Sequence, residues 1–500
     1  MSSINRAVAS IARTASITRA GSIVWAASIA WASSIARIAW VVSFTAFLVS
    51  SSALGRPLDT PLQMGLAGSG SLLLRGVDAP FGNPATLSWD RAPAVRLVSS
   101  TGIVQNDTYT LHDYSRWNGA TWSEEDKEEI LSRIGPDGLD ARFDTAVLGP
   151  GVAGSGWALT ARNVLLGAVR VPREYAELAL FGNEIGQQVE LPRSYGEGVW
   201  YLDFIGSGGR GVRRLGEFDV SLGGSLHLLR GLRHAELLGA SGTVTTTSDA
   251  IDGSLVAESR EAKGGWGYAV DVALAARSGS DHAGPLGPAA PTVSAAPTVS
   301  AVPSPLAESS VGSQAGVHGP YEFGIVLRNA LGSVRWSDEP RFRRDTAVAD
   351  SLSLSDGDEE DPIDTETTTT RIGAYSTRLP FEFEVSGALW ISDVRLELAW
   401  TQGLEDSPAT STRPRVALGA VLYRRTHWSA NAGLALGGVD GPVLGLGARA
   451  SFWRCDLDLA YQVLEGVDVS LPKGIGLGVA ITLHPGGRTA EEVGSAAGAE

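Results

Sequence analysis

Apolar and polar residues alternate along many segments of this chain, and no other feature restricts its possible folds as strongly. In the segment "FEFEVSGALW", the polar residues Glu382 and Glu384 alternate with apolar neighbours. A period of two residues gives a β-strand one apolar face and one polar face. The same period recurs from about residue 94 to residue 484, so the chain is predicted to be all-β.

The length of these segments decides between a soluble and a membrane protein. A β-sandwich gives the same alternation, but its strands usually hold about five or six residues. The segments here run for about 10 to 14 residues, which suits a tilted membrane-spanning strand. Aromatic residues such as Trp200, Tyr201, Trp266 and Trp336 lie near segment ends, as in interfacial girdles. We therefore predict a transmembrane antiparallel β-barrel of about 14 strands, with a secreted sandwich or solenoid as the alternative.

The strand pattern is interrupted in one long stretch and ends before the C-terminus. No strand is assigned through 337–377, and the up-and-down order of the strands does not close there. An acidic loop is expected at 351–370 because this stretch contains "DGDEEDPIDTE". The Pro/Ser/Ala repeat within 278–318 cannot supply a packed core and is expected to be disordered. The last sixteen residues, 485–500, are expected to form a disordered tail.

Two short helices are predicted in the connections between strands. The segment 121–134 begins with the capping pattern Ser123-x-x-Asp126, which is typical of a helix N-terminus. The segment 171–183 is a second amphipathic candidate, which Gly182 would terminate. These helices are equally compatible with lids over a ligand site and with simple stiffening of long loops.

The first 53 residues have the composition of an export signal. Positively charged arginines precede the apolar run "IAWVVSFTAFLV" (38–49), and no acidic residue lies among them. Ser51-Ser52-Ala53 then offers a small-x-small cleavage site. A signal peptide over 1–53 is therefore expected, although 21–50 is also long enough for a retained membrane anchor.

Composition excludes several other classes of function. A formal net charge of −15 argues against nucleic-acid binding, which requires clustered Lys and Arg. The single cysteine, Cys455, excludes an internal disulfide and a multi-cysteine metal site. "GSGGRG" (206–211) leads into a strand rather than a helix, so it predicts a flexible turn and no dinucleotide site. His227 and Asp219 share a polar strand face but have no evident nucleophile beside them. No enzyme, cofactor or metal is expected.

The segment "MGLAGSGSLLLRGVDAPFGNPATLSW" (64–89) fits neither a helix nor an alternating strand. Pro84 has a fixed φ and no N–H group, which prevents it from joining a sheet. The side chain of Asn83 can hydrogen-bond the backbone that Pro84 leaves free. Because irregular backbone is costly in lipid, this segment is expected inside the barrel.

The same segment resembles the N-terminal signature of the FadL-type outer-membrane proteins through Asn83, Pro84 and Ala85. Three further stretches, 113–139, 177–186 and 324–336, resemble landmarks of an uncharacterised branch near the TraF-like and PorV-like barrels. The resemblance implies a hatch over 54–92 inside a barrel over 93–484, anchored by the Asn-Pro-Ala motif. It also implies a monomer in the outer membrane, in contact with lipid and inserted by the outer-membrane assembly machinery.

What such a barrel does follows from the same resemblance. FadL-type transporters take up hydrophobic small molecules through extracellular loops, past the hatch and out through a gap in the wall. Passive, hatch-gated uptake of a fatty-acid-like or aromatic molecule is therefore the expected function. The alternative is a PorV-like scaffold or shuttle for surface proteins, whose interaction surface would be formed by the loop 278–318 together with the acidic loop.

Overall fold

The computed structural model describes residues 60–89, 92–248, 250–278, 321–353, 363–391, 394–405, 410–425 and 427–485. The predicted signal peptide (1–53) and all but the first residue of the tail (485–500) lie outside these ranges, as do residues 279–318 of the predicted Pro/Ser/Ala loop. Within them the chain is dominated by antiparallel β-strands, with a few short helices.

The strands are numbered in chain order. They are β1 (Ala94–Asn106), β2 (Leu139–Leu148), β3 (Gly151–Gly154), β4 (Trp157–Val171), β5 (Gln188–Leu215), β6 (Phe218–Thr246), β7 (Ala250–Ala262), β8 (Gly264–Ser278), β9 (Glu322–Asp338), β10 (Arg341–Ser353), β11 (Ile363–Arg371), β12 (Tyr375–Arg378), β13 (Glu382–Ile391), β14 (Val394–Gly403), β15 (Arg415–Arg425), β16 (Trp428–Gly437), β17 (Val443–Phe452), β18 (Cys455–Leu464) and β19 (Gly474–Leu483). The α-helices are α1 (Pro61–Gly65), α2 (Leu111–Trp117), α3 (Glu124–Arg133) and α4 (Arg173–Phe181), and two 3₁₀-helices span Gly76–Phe81 and Pro84–Ser88.

Fourteen of these strands close into a ring. Hydrogen-bonded neighbours run in the order β1, β2, β4, β5, β6, β8, β9, β13, β14, β15, β16, β17, β18 and β19, and β19 pairs again with β1. All of these pairs are antiparallel. The predicted fold, a barrel of about 14 strands, is confirmed by this closed ring.

Three of the remaining strands, β7, β10 and β11, extend the ring at one end. β7 pairs with the second half of β6, β10 pairs with β7, and β11 pairs with β10. The acidic loop expected at 351–370 is therefore wrong over residues 363–370, which lie in β11, and residues 351–353 also belong to a strand. The sequence of β11 does not alternate between apolar and polar residues because nearly all of its side chains are exposed, on both faces of the strand. Its run of threonines nevertheless favours the extended conformation.

The two faces of the ring differ in polarity as a membrane barrel requires. Large apolar side chains are exposed on the outer face, among them Leu159, Leu165, Phe204, Leu222, Leu226, Leu228, Val272, Phe323, Ile325, Leu398, Leu418, Leu434, Leu446, Leu459 and Leu477. Buried charged or polar side chains occupy the inner face, among them Asp203, His227, Asp271, Glu322, Arg328, Glu382, Glu384, Arg395, Glu397, Asn431 and Gln462. This arrangement, apolar outside and polar inside, is that of a transmembrane barrel.

The aromatic residues do not all lie in the girdle that the sequence predicts. Trp266 is 54% exposed and Trp200 is 43% exposed, as lipid-interface positions require. Trp336 and Tyr201 are buried at 0% and 2% exposure and point inward, so their assignment to the girdle is wrong. Gly231 makes room for Trp336, since a Cβ atom there would lie 2.4 Å from its ring.

The two ends of the barrel have different connections. Residues 155–156, 216–217 and 453–454 make short turns at one end, which we call the turn end. At the opposite, loop end, residues 107–138 and 172–187 carry α2, α3 and α4. Ser278 and Tyr321, which flank the Pro/Ser/Ala loop, lie at the turn end, whereas β10 and β11 run out to the loop end. The two loops of the scaffold hypothesis thus leave from opposite ends of the barrel.

Two of the three helices at the loop end were predicted from the sequence. Predicted helices 121–134 and 171–183 occur as α3 and α4, and α2 was not predicted. Ser123 and Asp126 form the expected reciprocal cap, and Gly182 ends α4 with a φ of 72°. None of the helices in the described ranges is long and apolar enough to cross a membrane.

The cap of α2 gives the loop end a dependence on pH. The buried carboxylate of Asp113 accepts hydrogen bonds from the Thr110 nitrogen at 3.0 Å and hydroxyl at 2.8 Å, and Arg133 pairs with it at 2.6 Å. Burial opposes ionisation, but the hydrogen bonds from Thr110 and the charge of Arg133 outweigh it, so the pKa of Asp113 lies below its usual 3.8. A lowered pKa stabilises the fold above the unfolded-state value, and this stabilisation is lost as pH falls through the folded-state value.

We therefore expect residues 111–133 to lose protection from hydrogen exchange on acidification from about pH 6 to about pH 3, after correction for intrinsic exchange rates. Asp113→Asn should lower protection already at the higher pH and remove most of the change. Equal protection of the wild-type segment at both values would contradict the role given to this carboxylate.

Candidate functional site

Residues 60–89, which we call the hatch, lie inside the ring of strands. Met64, Leu72 and Ala85 are completely buried. α1 contacts β16, β17, β18 and β19, whereas the second 3₁₀-helix contacts β5, β6 and β8 on another side of the ring. A segment that contacts so many strands of a closed ring fills its lumen.

The hatch is folded by local interactions rather than by pairing with the wall. Thr60 caps α1 by accepting a hydrogen bond from the Gln63 nitrogen at 3.2 Å, and the Gln63 side chain donates to the Phe81 carbonyl at 3.0 Å. Gly68 and Gly70 reverse the chain at φ values of 84° and 98°, which side chains rarely adopt. The hatch is thus a compact plug with its own internal contacts.

The predicted motif Asn83-Pro84-Ala85 lies where the hatch meets the wall. The Asn83 Oδ1 atom accepts from the Ala85 nitrogen at 3.0 Å, which caps the second 3₁₀-helix. Its Nδ2 group donates to the Leu274 carbonyl of β8 at 2.9 Å. Asn83 thereby connects the backbone of the hatch to a membrane-spanning strand, and Pro84 occupies the first position of the 3₁₀-helix.

Glycines on the inner wall form the seat of this motif. Gly209 of β5 and Gly223 of β6 are directly paired, and both face Pro84 and Ala85. A Cβ atom on Gly223 would lie 2.2 Å from the Ala85 nitrogen. The stretch "GSGGRG" is therefore part of β5 and not the predicted flexible turn, which lies at 216–217 instead.

A second glycine seat receives the other part of the hatch. Gly419, Gly433 and Gly445 lie side by side on β15, β16 and β17. A Cβ atom on Gly433 would lie 2.2 Å from the Leu66 carbonyl carbon, and one on Gly445 would lie 2.4 Å from the Met64 carbonyl oxygen. Both seats consist of glycine because backbone packs directly on backbone there.

A carboxylate from the wall holds the chain reversal of the hatch. The Oε1 atom of Glu397 on β14 accepts hydrogen bonds from the Gly70 and Leu72 nitrogens, each at 3.0 Å. The Ser71 hydroxyl lies 3.0 Å from the Ser386 hydroxyl of β13. Successive backbone N–H groups that converge on one carboxylate form an anion-binding nest, and hydrogen bonds to a charged acceptor are stronger than neutral ones.

Two arginines of the wall bind hatch carbonyl groups. Arg328 of β9 donates to the Gly82 carbonyl at 2.7 Å, to Glu384 at 2.8 Å and to Glu382 at 3.2 Å. Arg415 of β15 donates to the Ala67 carbonyl at 3.0 Å. These contacts bind the hatch through polar groups that each have several partners.

A small cavity lies beside the hatch. Its volume is about 70 Å³, and Gly68 of the hatch and Arg415 and Glu382 of the wall contribute to its lining. Asp440, which pairs with Arg142, also borders it. Pockets for drug-sized ligands usually measure about 300–1,000 Å³ and are mostly apolar. With the hatch in place, this cavity has neither the size nor the polarity of a hydrophobic ligand site.

His227 faces the lumen, as expected, but Asp219 does not contact it. Its Nδ1 atom lies 3.0 Å from Asp203 of β5, and its Nε2 atom lies 3.2 Å from Asp271 of β8. Arg162 donates to Asp203 at 2.9 Å. Both imidazole nitrogens face carboxylates, so His227 lies in a charged network and is not placed to activate a serine.

Comparison of sequences finds no match, whereas comparison of folds finds similar solved structures. No family model matches the chain, and no curated protein matches its sequence. The fold is similar to the Ralstonia pickettii toluene transporter TbuX, with 11% identity, a TM-score of 0.43 and coverage of 85% of this chain and 98% of TbuX. A Pseudomonas aeruginosa FadL homologue matches with 11% identity, a TM-score of 0.44 and coverage of 87% and 100%. The monoaromatic hydrocarbon channel CymD matches with 11% identity, a TM-score of 0.44 and coverage of 87% and 99%.

Proposed function

We propose that this protein is an outer-membrane channel for passive uptake of a hydrophobic small molecule, and that the hatch is its gate. The observation that supports this function most directly is the placement of residues 60–89. They fill the lumen of a closed barrel, yet they pair with no strand of its wall. Wall side chains hold them, together with one backbone hydrogen bond from the Gly156 nitrogen to the Leu87 carbonyl. Asn83, Pro84 and Ala85 would anchor the hatch while its other contacts break.

The cavity beside the hatch supports gating rather than a permanently open route. Its volume of about 70 Å³ and its charged lining exclude an apolar ligand from this cavity while the hatch is in place. Passage therefore requires the region around Gly68 and Gly70 to move, with Glu397 and Arg415 releasing it. The driving force would be the partitioning of the ligand out of water, which needs no bound cofactor.

The orientation follows from the two ends of the barrel. Outer-membrane barrels have short periplasmic turns and longer extracellular loops. The turn end would thus face the periplasm, and α2, α3 and α4 would face the exterior, where they could receive ligand. Such a barrel would be a monomer that contacts lipid all round and is inserted by the outer-membrane assembly machinery. The fatty-acid-like or aromatic nature of the ligand rests on the FadL-type resemblance.

A disulfide between hatch and wall tests the gate. Ser71→Cys and Ser386→Cys place two thiols where the hydroxyls are now 3.0 Å apart, close to disulfide geometry. Cys455→Ser removes the chain's only native cysteine. We expect uptake of a fluorescently labelled long-chain fatty acid by intact cells to fall to the level of cells lacking the protein when this variant is oxidised. Reduction should restore it, and each single-cysteine variant should be unaffected by oxidant.

The two parts of the proposal fail in different ways. Unchanged uptake by the fully cross-linked protein would show that the hatch is not the gate. If the reduced and native proteins transport neither the fatty acid nor an aromatic hydrocarbon faster than cells lacking the protein, the channel function itself is wrong.

A further inference from the structure

Three potential metal ligands converge on the inner wall near the loop end. They are Glu197 of β5 and His234 and Glu236 of β6, and one ligand atom from each lies within 4.8 Å of the others. Glu197 and Glu236 are directly paired, and His234 is paired with Val199, two residues along β5 from Glu197. The strand register therefore holds all three side chains on one face, and none of them takes part in holding the hatch.

The imidazole of His234 is buried and has one unused nitrogen. Its side chain is 0% exposed and packs against the ring of Trp336, with centroids 4.8 Å apart. Nδ1 lies 2.7 Å from the Tyr375 hydroxyl, whereas Nε2 has no hydrogen-bond partner among the described residues. A buried polar atom without a partner is costly, so binding of a ligand at this nitrogen, beside the two carboxyl groups, would remove that cost.

The surroundings of His234 suit metal binding. A metal-bound histidine usually donates its second N–H to an oxygen, which fixes the ring and its tautomer. Tyr375 is placed to accept this hydrogen bond from Nδ1, which would leave the lone pair of Nε2 for a cation. Tyr375 is itself held by Arg260, whose guanidinium lies 4.6 Å from the centre of its ring.

The charges also favour a cation. Arg260 pairs with the Oε2 atom of Glu236 at 2.5 Å, which leaves Oε1 of that carboxylate for another partner. Two carboxyl groups face one guanidinium here, so the cluster holds more acidic groups than basic ones. Four-coordinate Zn²⁺ has bonds of about 2.0–2.2 Å to nitrogen and oxygen, so the ligand atoms would need to approach by about 1 Å through side-chain rotation.

We propose that Glu197, His234 and Glu236 form a binding site for a divalent transition-metal ion of the zinc type. One imidazole and two carboxylates are ligands that Zn²⁺ accepts, whereas Mg²⁺ and Ca²⁺ prefer oxygen alone. The ion would connect β5 to β6 at a wall position from which Glu197 also reaches the cavity beside the hatch.

Calorimetric titration of the full-length protein in detergent, stripped of metal with a chelator, tests this site. We expect one Zn²⁺ per chain and far weaker binding of Mg²⁺. His234→Gln and Glu197→Gln should each weaken Zn²⁺ binding by at least about tenfold, and Tyr375→Phe by about tenfold through loss of the hydrogen bond that orients the ring. His112→Gln, at an exposed position on α2, is the matched control and should bind as the native protein does.

Heat-dependent gel mobility establishes that each variant is folded before it is titrated. If His234→Gln fails to fold, Glu197→Gln still tests the site because it preserves shape and removes only the charge. Absence of saturable Zn²⁺ binding to the native protein would overturn the proposal. Unchanged affinity in the folded His234→Gln or Glu197→Gln variant would do the same.

Discussion

Gly223→Val is expected to convert the closed barrel into one that conducts ions. A Cβ atom at Gly223 would lie 2.2 Å from the Ala85 nitrogen and 2.5 Å from the Ala85 Cα atom. These are backbone atoms, so no side-chain rotation can relieve the overlap. The hatch cannot shift towards the opposite wall either, because Leu66 already contacts Gly433 there. The valine must therefore displace the Asn83-Pro84-Ala85 segment from its seat.

The wall itself should tolerate this substitution. Valine is among the residues that favour β-strands, and position 223 lies within the regular pairing of β6 with β5 and β8. Single-channel recording in planar bilayers should then show a conductance at least about tenfold above that of the native protein, since an unplugged barrel of this size holds water. Gly433→Val, at the second seat, should have the same effect.

Gly206→Val is the matched control. Gly206 is on the outer face of β5, where an added Cβ atom meets only Leu159, at an ordinary distance of 3.6 Å. It should leave the conductance at the native level and the heat-dependent gel mobility unchanged. A folded Gly223→Val barrel that remains as closed as this control would show that the hatch does not seal the lumen.

The features that could be predicted from sequence are those that local pattern determines. Alternation over long segments predicted the barrel because each strand has one lipid face and one lumen face. Ser123 and Asp126 predicted the start of α3 because capping involves neighbours three residues apart. The irregular segment around Asn83 was assigned to the interior because unpaired backbone is costly in lipid.

Strands that extend beyond the ring could not be predicted from this alternation. β10 and β11 extend beyond the ring, and nearly all residues of β11 are exposed, so no face selects apolar side chains. Trp336 was misassigned because an aromatic residue near a strand end fits the lipid interface and the lumen equally well. The signal that distinguishes them is the glycine at position 231, which makes space for the ring on the inner face.

The residues that hold the hatch could not be found without the register of the strands. Glu397 and Gly70 are 327 positions apart in sequence, and Arg328 and Glu384 lie on neighbouring strands separated by a long connection. A shift of one residue in the pairing of β9 with β13 would send one of these side chains into lipid. Sequence patterns showed that the lumen is charged, but not which charges meet.

Arg328→Met is expected to destabilise the barrel by about 3–5 kcal/mol, because it removes one partner from a buried ionic cluster, and Glu382 and Glu384 lose a counter-charge. Arg328 is 5% exposed, and it pairs with Glu384 at 2.8 Å and with Glu382 at 3.2 Å. Arg328 also donates a hydrogen bond to the Gly82 carbonyl, so the substitution removes one contact between the wall and the hatch as well. The free energy of unfolding, measured by urea titration in lipid vesicles at fixed pH, is the quantity to compare.

A matched surface pair separates this effect from the mere loss of an arginine. Arg341 pairs with Glu339 at 2.7 Å, and their side chains are 40% and 51% exposed. Arg341→Met should therefore cost less than about 1 kcal/mol. The triple variant Arg328→Met, Glu382→Gln, Glu384→Gln should regain most of the loss, since the two carboxylates that paired with Arg328 are then replaced by neutral amides. Equal costs for Arg328→Met and Arg341→Met would show that the buried cluster does not stabilise the wall.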